Sequence, residues 1–254
     1  MLLIGMFGAG VAEGRKKKAL PPPPSNLSRQ VNSSARQLPG VMLEDAEPIT
    51  SKIQKLLLDH LQEWMANKTP SDVEVRRELE SAFALLHWPI FGKPAVFDAP
   101  WKGGVVIGAG YTLGWTDYDR ANVVALFVGR DGQSRLAAVT PFVPRTDLNY
   151  EVLPPRGWDD FRFFVYGFRL GKSQLRLTAI LYSFDGQNLK SLWETHDAYD
   201  GKMDVQGDKV VIRYLKEDEY VREQVHGRKP PRHESIYKIT PKGLELETDH
   251  EIPF

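Results

Sequence analysis

From Phe161 to the C-terminus, apolar and polar side chains alternate with the two-residue period of half-buried strands, whose successive side chains point to opposite faces. Leu244 and Leu246 alternate with Glu245 and Glu247, and Met203 and Val205 with Asp204 and Gln206. Val210, Ile212 and Tyr214 share a face against Lys209 and Arg213. The run Leu175 to Phe184 is apolar on both sides, with Leu177, Ala179 and Leu181 on one face and Ile180, Tyr182 and Phe184 on the other. A strand covered on both faces reads that way, which places this run centrally in a sheet. Phe161, Phe163, Phe164, Val165, Tyr166 and Phe168 form its expected neighbour. Asp185-Gly186, Asp200-Gly201, Gly207-Asp208 and Pro241-Lys242-Gly243 supply the positive-φ tolerance of tight hairpins, so each predicts a turn.

Upstream, Val105 to Tyr111 reads as a strand, and Val123 to Val128 and Arg135 to Val139 flank Asp131-Gly132 as a hairpin. Ala125-Leu126-Phe127-Val128 before Asp131-Gly132-Gln133 echoes Ala179-Ile180-Leu181-Tyr182 before Asp185-Gly186-Gln187. Two such hairpins are too few for a propeller, which needs at least about four blades, so the echo fits one continuous meander beginning near Val105. Gly108, Gly110 and Gly114 invite comparison with a dinucleotide fingerprint, but their spacing is one residue too long and Trp115-Thr116-Asp117 follows in place of a helix. These glycines instead predict a bulge or a backbone crowded by Trp101 or Trp115.

The period changes to that of a helix nearer the N-terminus. Ser51 with Gln54 predicts a capping box, and Ile53, Leu56, Leu57, Leu61 and Trp64 recur behind it until about Asn67. Pro70-Ser71 with Glu74 starts a second stripe of Val75, Leu79, Ala82, Phe83 and Leu86. The short link Lys68 to Pro70 makes the two an antiparallel hairpin, whose stripes need a partner surface, most simply a face of the sheet. Trp88 to Trp101, with Pro89, Pro94 and Pro100, reads as an aromatic connector. Pro141 to Asp160 reads as a long loop, and Lys216 to Glu234 as an excursion that starts acidic, ends basic and holds a short helix with Val221 and Val225 one turn apart. The fold class is α+β: an N-terminal helical hairpin packed on a predominantly antiparallel β-meander sheet or sandwich of about eight to ten strands.

Four segments follow: residues 1–12, an apolar export segment; 13–40, a Pro/Ser-rich basic tether; 41–100, the helical hairpin and connector; and 101–254, the β-rich domain. Met1 to Ala12 has the length of a signal-peptide core, with Gly10-Val11-Ala12 where cleavage would fall, though no basic residues precede it. It predicts a periplasmic or secreted protein, with a cytoplasmic one as the alternative. Gly5 and Gly10 have phosphate-loop spacing, but Val11 stands where lysine is required. Arg15 to Lys18 reads as a solvated charge cluster before the extended Pro21 to Pro24.

Composition narrows the chemistry. The chain of 254 residues can bury a core without staples, and its lack of cysteine excludes disulfides, thiolate metal sites and cysteine nucleophiles. Lys plus Arg and Asp plus Glu both number 33, which removes the charge argument for a nucleic-acid partner. No cofactor, metal site or transmembrane helix is predicted.

Two acidic pairs lie beside aromatic rings: Asp117 and Asp119 with Trp115 and Tyr118, and Asp159 and Asp160 after Trp158. Paired carboxylates next to a stacking ring are what a sugar site uses, as acid and base or as hydrogen-bond acceptors. His196, Asp197 and Asp200 form a further polar knot, with His196 a ligand-binding candidate. Neither a zinc-protease histidine motif nor a nucleophile elbow occurs. The leading reading is an exported noncatalytic module binding a glycan, peptide or protein through long loops. The alternatives are a carbohydrate- or ester-acting hydrolase using the paired aspartates, and a structural domain without a specific ligand.

Overall fold

The computed structural model describes residues 25–38, 41, 43–86, 94–113, 122–142, 146–170 and 175–252. The expected export segment, the Arg15 to Lys18 cluster and Trp88 lie outside them.

Three helices, α1 (Asn26–Ala35), α2 (Leu43–Met65) and α3 (Asp72–Ala82), form the outer layer. The start of α3 is as the sequence predicts: the Ser71 Oγ accepts the Glu74 N–H at 3.4 Å while the Glu74 carboxylate accepts the Ser71 N–H at 2.9 Å. Its stripe Val75, Leu79, Ala82, Phe83 and Leu86 is buried. By contrast, α2 does not begin at Ser51, which is exposed inside it. The helix runs two turns further back through Pro48, forfeiting one backbone hydrogen bond, because Ala46 and Ile53 share its buried face.

The stretch expected as a tether contains α1. Its stripe of Leu27, Val31, Ala35 and Leu38 is narrow, but α2 and α3 supply the remaining walls of the same core. The Ser25 Oγ caps it by accepting the Ser28 N–H at 3.0 Å. The helical hairpin is therefore a layer of three helices.

Beneath it lies a four-stranded antiparallel sheet in chain order: β1 (Ala95–Trp101), β2 (Gly104–Tyr111), β3 (Asn122–Arg130) and β4 (Gln133–Phe142). Its helix-facing side contributes Val96, Ile107, Ala109, Tyr111, Val123, Ala125 and Phe127 to the core under the helices. The segment expected as an aromatic connector is in part β1, and Pro100 is tolerated there because β1 is an edge strand whose missing N–H can face outward. Gly108 is crowded by Phe97 rather than by Trp101, since a Cβ on it would stand 2.0 Å from the Phe97 ring, while Trp115 lies outside the described residues.

The meander continues in chain order but as a second sheet. β5 (Thr146–Val152), β6 (Phe161–Leu170), β7 (Leu175–Phe184), β8 (Leu189–Gln206), β9 (Lys209–Leu215), β10 (Arg232–Thr240) and β11 (Gly243–Ile252) pair consecutively and antiparallel, so the described strands number eleven. β5 lies in the segment read as a long loop; Leu148, Tyr150 and Val152 alternate there between flanking prolines. The β7 faces divide as predicted, β6 is its neighbour as expected, and the faces of β6 divide in the same way. Phe161, Phe163, Val165, Ile180, Tyr182 and Phe184 meet Phe97, Val106, Val124 and Leu126 of the smaller sheet. Phe164, Leu177 and Leu181 point the other way, into a third core with Val210, Ile212 and Ile239.

That third core exists because β8 bends. Its first half pairs with β7 and its second with β9, and between Tyr199 and Lys202 the register shifts. Asp200-Gly201 is thus a bulge within a strand and not a hairpin turn, with Asp200 at φ 45°. The sheet folds over at this bend, bringing β9 to β11 across the outer side of β6 and β7. Leu244 joins the enclosed core, whereas Leu246 is 56% exposed, correcting its expected burial: β11 is an edge strand and only its first residues reach inward. Likewise α4 (Glu217–Val225) forms as predicted but turns Tyr220 inward against Tyr199 and Leu215, leaving Val221 and Val225 exposed.

Candidate functional site

Of the residues singled out by sequence, Trp115, Asp117, Tyr118 and Asp119 lie outside the described residues, as do the side chains of His196 and Asp197. Trp158, Asp159 and Asp160 lie between β5 and β6. Asp159 is exposed. Asp160 is half-buried and accepts hydrogen bonds from the Arg162 Nε at 2.8 Å and the Ser183 Oγ at 2.5 Å. Desolvation opposes its charge, but those two bonds and the adjacent guanidinium outweigh it and hold the carboxyl below its ordinary range. A general acid needs the opposite shift. The guanidinium of Arg162 also lies 3.8 Å over the Trp158 ring and donates to the Thr240 and Pro241 carbonyls at 2.8 Å each. These residues fasten the folded-over sheet. Asp200, from the predicted polar knot, pairs with Arg232.

A different place gathers unused polar groups. At one end of the two sheets the β1–β2, β3–β4 and β7–β8 hairpin tips meet the last turn of α2 around an open cleft of about 890 Å³. Lys102-Gly103 and Asp131-Gly132 are two-residue turns with both residues at positive φ, 46° and 74° in the first and 52° and 75° in the second. The β3–β4 tip is tied to the α2–α3 link, with the Ser134 Oγ donating to the Lys68 carbonyl at 2.9 Å and the Thr69 Oγ1 to the Gln133 carbonyl at 3.3 Å.

The third tip differs in spite of its matching Asp-Gly-Gln. The Asp185 carboxylate accepts the Asn188 N–H at 2.7 Å, the Asn188 side-chain amide at 3.0 Å and the Gln187 N–H at 2.8 Å, which draw its pKa down to about 2. Gly186, at φ 109°, lets the edge of Trp101 lie close above the loop, where a Cβ would meet the ring at 3.1 Å. The half-buried Trp101 ring packs on Phe184 at 5.7 Å between centroids.

Among its described residues the cleft therefore presents one aromatic ring, fixed from below, and a rim of exposed polar side chains. The amides of Gln62, Gln133 and Gln187 make no hydrogen bond to another described residue, and Lys102, Arg130 and Arg135 form no ion pair with one. Each arginine is steadied by one carbonyl, Arg130 by that of Lys102 at 2.5 Å and Arg135 by that of Gly186 at 3.4 Å, which leaves its other N–H groups facing outward. Among the described residues Asp185 is the one carboxylate of the lining, and both its oxygens are engaged. Sequence reasoning misses this site because its parts are far apart in the chain. The repeated Asp-Gly-Gln is the one local signal that points to it.

A second polar cluster surrounds α4 and is closed on itself. Glu219 meets the buried His233 at 2.6 Å, Glu217 meets Arg176 at 2.6 Å, and Asp249 accepts from the Ser235 Oγ at 3.0 Å. Its charges are consumed in holding α4 and β11 to the sheet.

Comparison with protein-family models, curated proteins and solved structures finds no match. Among the described residues, no group of three or more His, Asp or Glu side chains could hold a metal ion, and no helix is long and apolar enough to cross a membrane.

Proposed function

We propose that this protein is a noncatalytic binding module that takes a saccharide in the cleft at the hairpin end. The observation that carries the reading is the Trp101 ring set among three glutamine amides without a described partner. An indole face gives an apolar platform for the C–H side of a sugar ring, while amides, as donors and acceptors at once, suit its hydroxyls. The platform is preformed, because Phe184 and Gly186 hold the indole from below. Lys102 Nζ sits 4.7 Å over the same ring on an exposed, flexible stem and can yield that place to a ligand. A hydrolase would need two carboxyl groups facing each other across the bound sugar, and the single carboxylate of this lining is tied into its own loop. An exported location, supported by the apolar Met1–Ala12 segment, would suit such a module.

Affinity electrophoresis through gels carrying defined polysaccharides tests the reading. At least one polysaccharide is expected to retard the protein, with Trp101→Ala losing the retardation and Gln187→Ala, at an exposed position outside every core, weakening it severalfold. Retardation unchanged in both variants would place the ligand elsewhere.

A further inference from the structure

We infer that the saccharide taken by this cleft is anionic, bearing carboxylates or sulfates. The inference rests on the saccharide reading above and specifies its chemistry. Four charged side chains line the cleft: Lys102, Arg130 and Arg135 against Asp185, a balance of 3 − 1 = +2 on a chain whose whole charge is zero. The surplus is local: Asp185 is the one carboxylate among the described lining residues, and Lys102 helps to keep it charged without forming an ion pair with it. None of the three cations forms an ion pair among the described residues; other arginines, such as Arg76 and Arg156, also bond only carbonyls, and what sets these three apart is that they converge on one cleft. Asp185 offers little competition, since its oxygens already accept three N–H groups from its own loop.

Geometry adds direction to the charge. Each of the two guanidinium groups is oriented by a single backbone carbonyl, which leaves a fork of N–H donors for an incoming anion. Lys102 adjoins Trp101 in sequence, so an ammonium displaced from the ring face by a stacked sugar stays tethered beside it, within reach of a ring-borne acid. Platform and cations lie on two hairpins, Trp101 and Lys102 on the first and Arg130 and Arg135 on the second, so a ligand touching all of them must span both. A nucleic acid is the lesser fit: a duplex presents a dense row of phosphates, about one per 1.7 Å of axis, and three cations in one cleft on a neutral chain cannot track it.

The experiment is affinity electrophoresis of the full chain in gels containing polygalacturonate, its fully methyl-esterified form, dextran sulfate or dextran. The wild type is expected to be retarded by at least one of the two acidic polymers, about tenfold more strongly than by its neutral counterpart, and which acidic polymer acts separates carboxylate from sulfate. Arg130→Gln with Arg135→Gln should weaken that retardation about tenfold or more. Arg77→Gln, which removes an exposed charge on α3 outside the cleft, should not. Raising salt from about 0.05 to 0.5 M should weaken binding by a similar factor, since the Debye length falls below the spacing of exposed charges. Equal retardation by neutral and acidic polymers, lost in Trp101→Ala but kept in the double arginine variant, would overturn the anionic inference and leave the saccharide reading standing. Retardation by none of the four would overturn the anionic inference. If other polysaccharides fail too, the saccharide reading falls with it. Binding of a single-stranded oligonucleotide as tightly as the best acidic polymer would also overturn the inference.

Discussion

Arg162 and Phe163 are neighbours on β6, and they serve two regions closed by different means. Phe163 enters the space between the two sheets, where it is fully buried among Phe97, Phe161, Tyr150 and Tyr182. Arg162 enters the fold of the larger sheet on itself, where one guanidinium reaches Asp160, Thr240, Pro241 and the face of Trp158. The first region is closed chiefly by apolar area, with a Tyr182–Thr140 side-chain hydrogen bond joining the two sheets at its margin. The second is closed by a polar fastener at the rim of an apolar core, where one guanidinium reaches the Thr240 and Pro241 carbonyls at the β10–β11 turn. An area-closed core tolerates imprecise chemistry as long as volume is kept, whereas a fastener depends on one group having every partner in place.

Truncating the apolar member breaks this comparison hardest. Phe163→Ala removes a ring that touches four others and leaves a cavity between stiff sheets, so it should cost about 3–5 kcal/mol of unfolding free energy, read as a shift in denaturant midpoint. Phe163→Leu should recover more than half of that loss, since the region needs volume more than shape.

Arg162→Met keeps the stem and deletes the fastener. It strands two carbonyls and a half-buried carboxylate, and the expected loss is about 3 kcal/mol. Unlike the phenylalanine, no substitution of similar volume should restore it; Arg162→Lys, with one donor head in place of a fork, should remain impaired. Rescue by lysine to wild-type stability would show that charge alone, and not the forked geometry, closes this seam.

Asp160 separates the regions by pH. Its carboxyl is held below its ordinary value of 3.8, so the stability it contributes is fully present above that pH and is lost as pH falls through the lower folded value. Asp160→Asn should therefore lower stability by about 1–2 kcal/mol at neutral pH and show a shallower further decline below about pH 4 than the wild type. In Phe163→Ala the acid limb should keep its wild-type slope. Parallel acid limbs in Asp160→Asn and wild type would remove Asp160 from the fastener.

The same contrast explains which parts of the molecule are legible in its sequence. The faces of β6 and β7 are legible because burial on both sides writes an apolar run with a parity, and parity alone assigns Phe163 to one core and Phe164 to the other. The bend in β8 is not, since Asp200-Gly201 serves a hairpin or a bulge equally well and only Leu177 and Ala198, packed on Gly201, decide between them. Pro100 hides β1, because the cost of a proline in a strand depends on being at an edge, a fact about neighbours. The hairpin-end cleft is hidden more deeply: Trp101, Arg130 and Gln187 come together only once two sheets and α2 have packed, and no local period announces that. Sequence speaks of which face a side chain takes, and much less of which distant loop it will meet.

The outer helix layer offers the gentlest test, because its start signal is local, exposed and legible at once. Ser71 and Glu74 satisfy each other's backbone N–H at the first turn of α3, and the bond to the Ser71 N–H, more than any other contact, holds the Glu74 carboxyl below its ordinary range. Ser71→Ala removes one half of this exchange without touching a core residue, so the loss should be about 1 kcal/mol, with the denaturant slope unchanged. The folding-over of the larger sheet and the cleft should be unaffected, and polysaccharide retardation in the variant should match the wild type. A loss comparable to that of Arg162→Met would mean that the exposed cap is coupled to the interior, and that the helix layer is fastened as the β8 seam is, by particular groups and not by the area of Val75, Leu79 and Phe83.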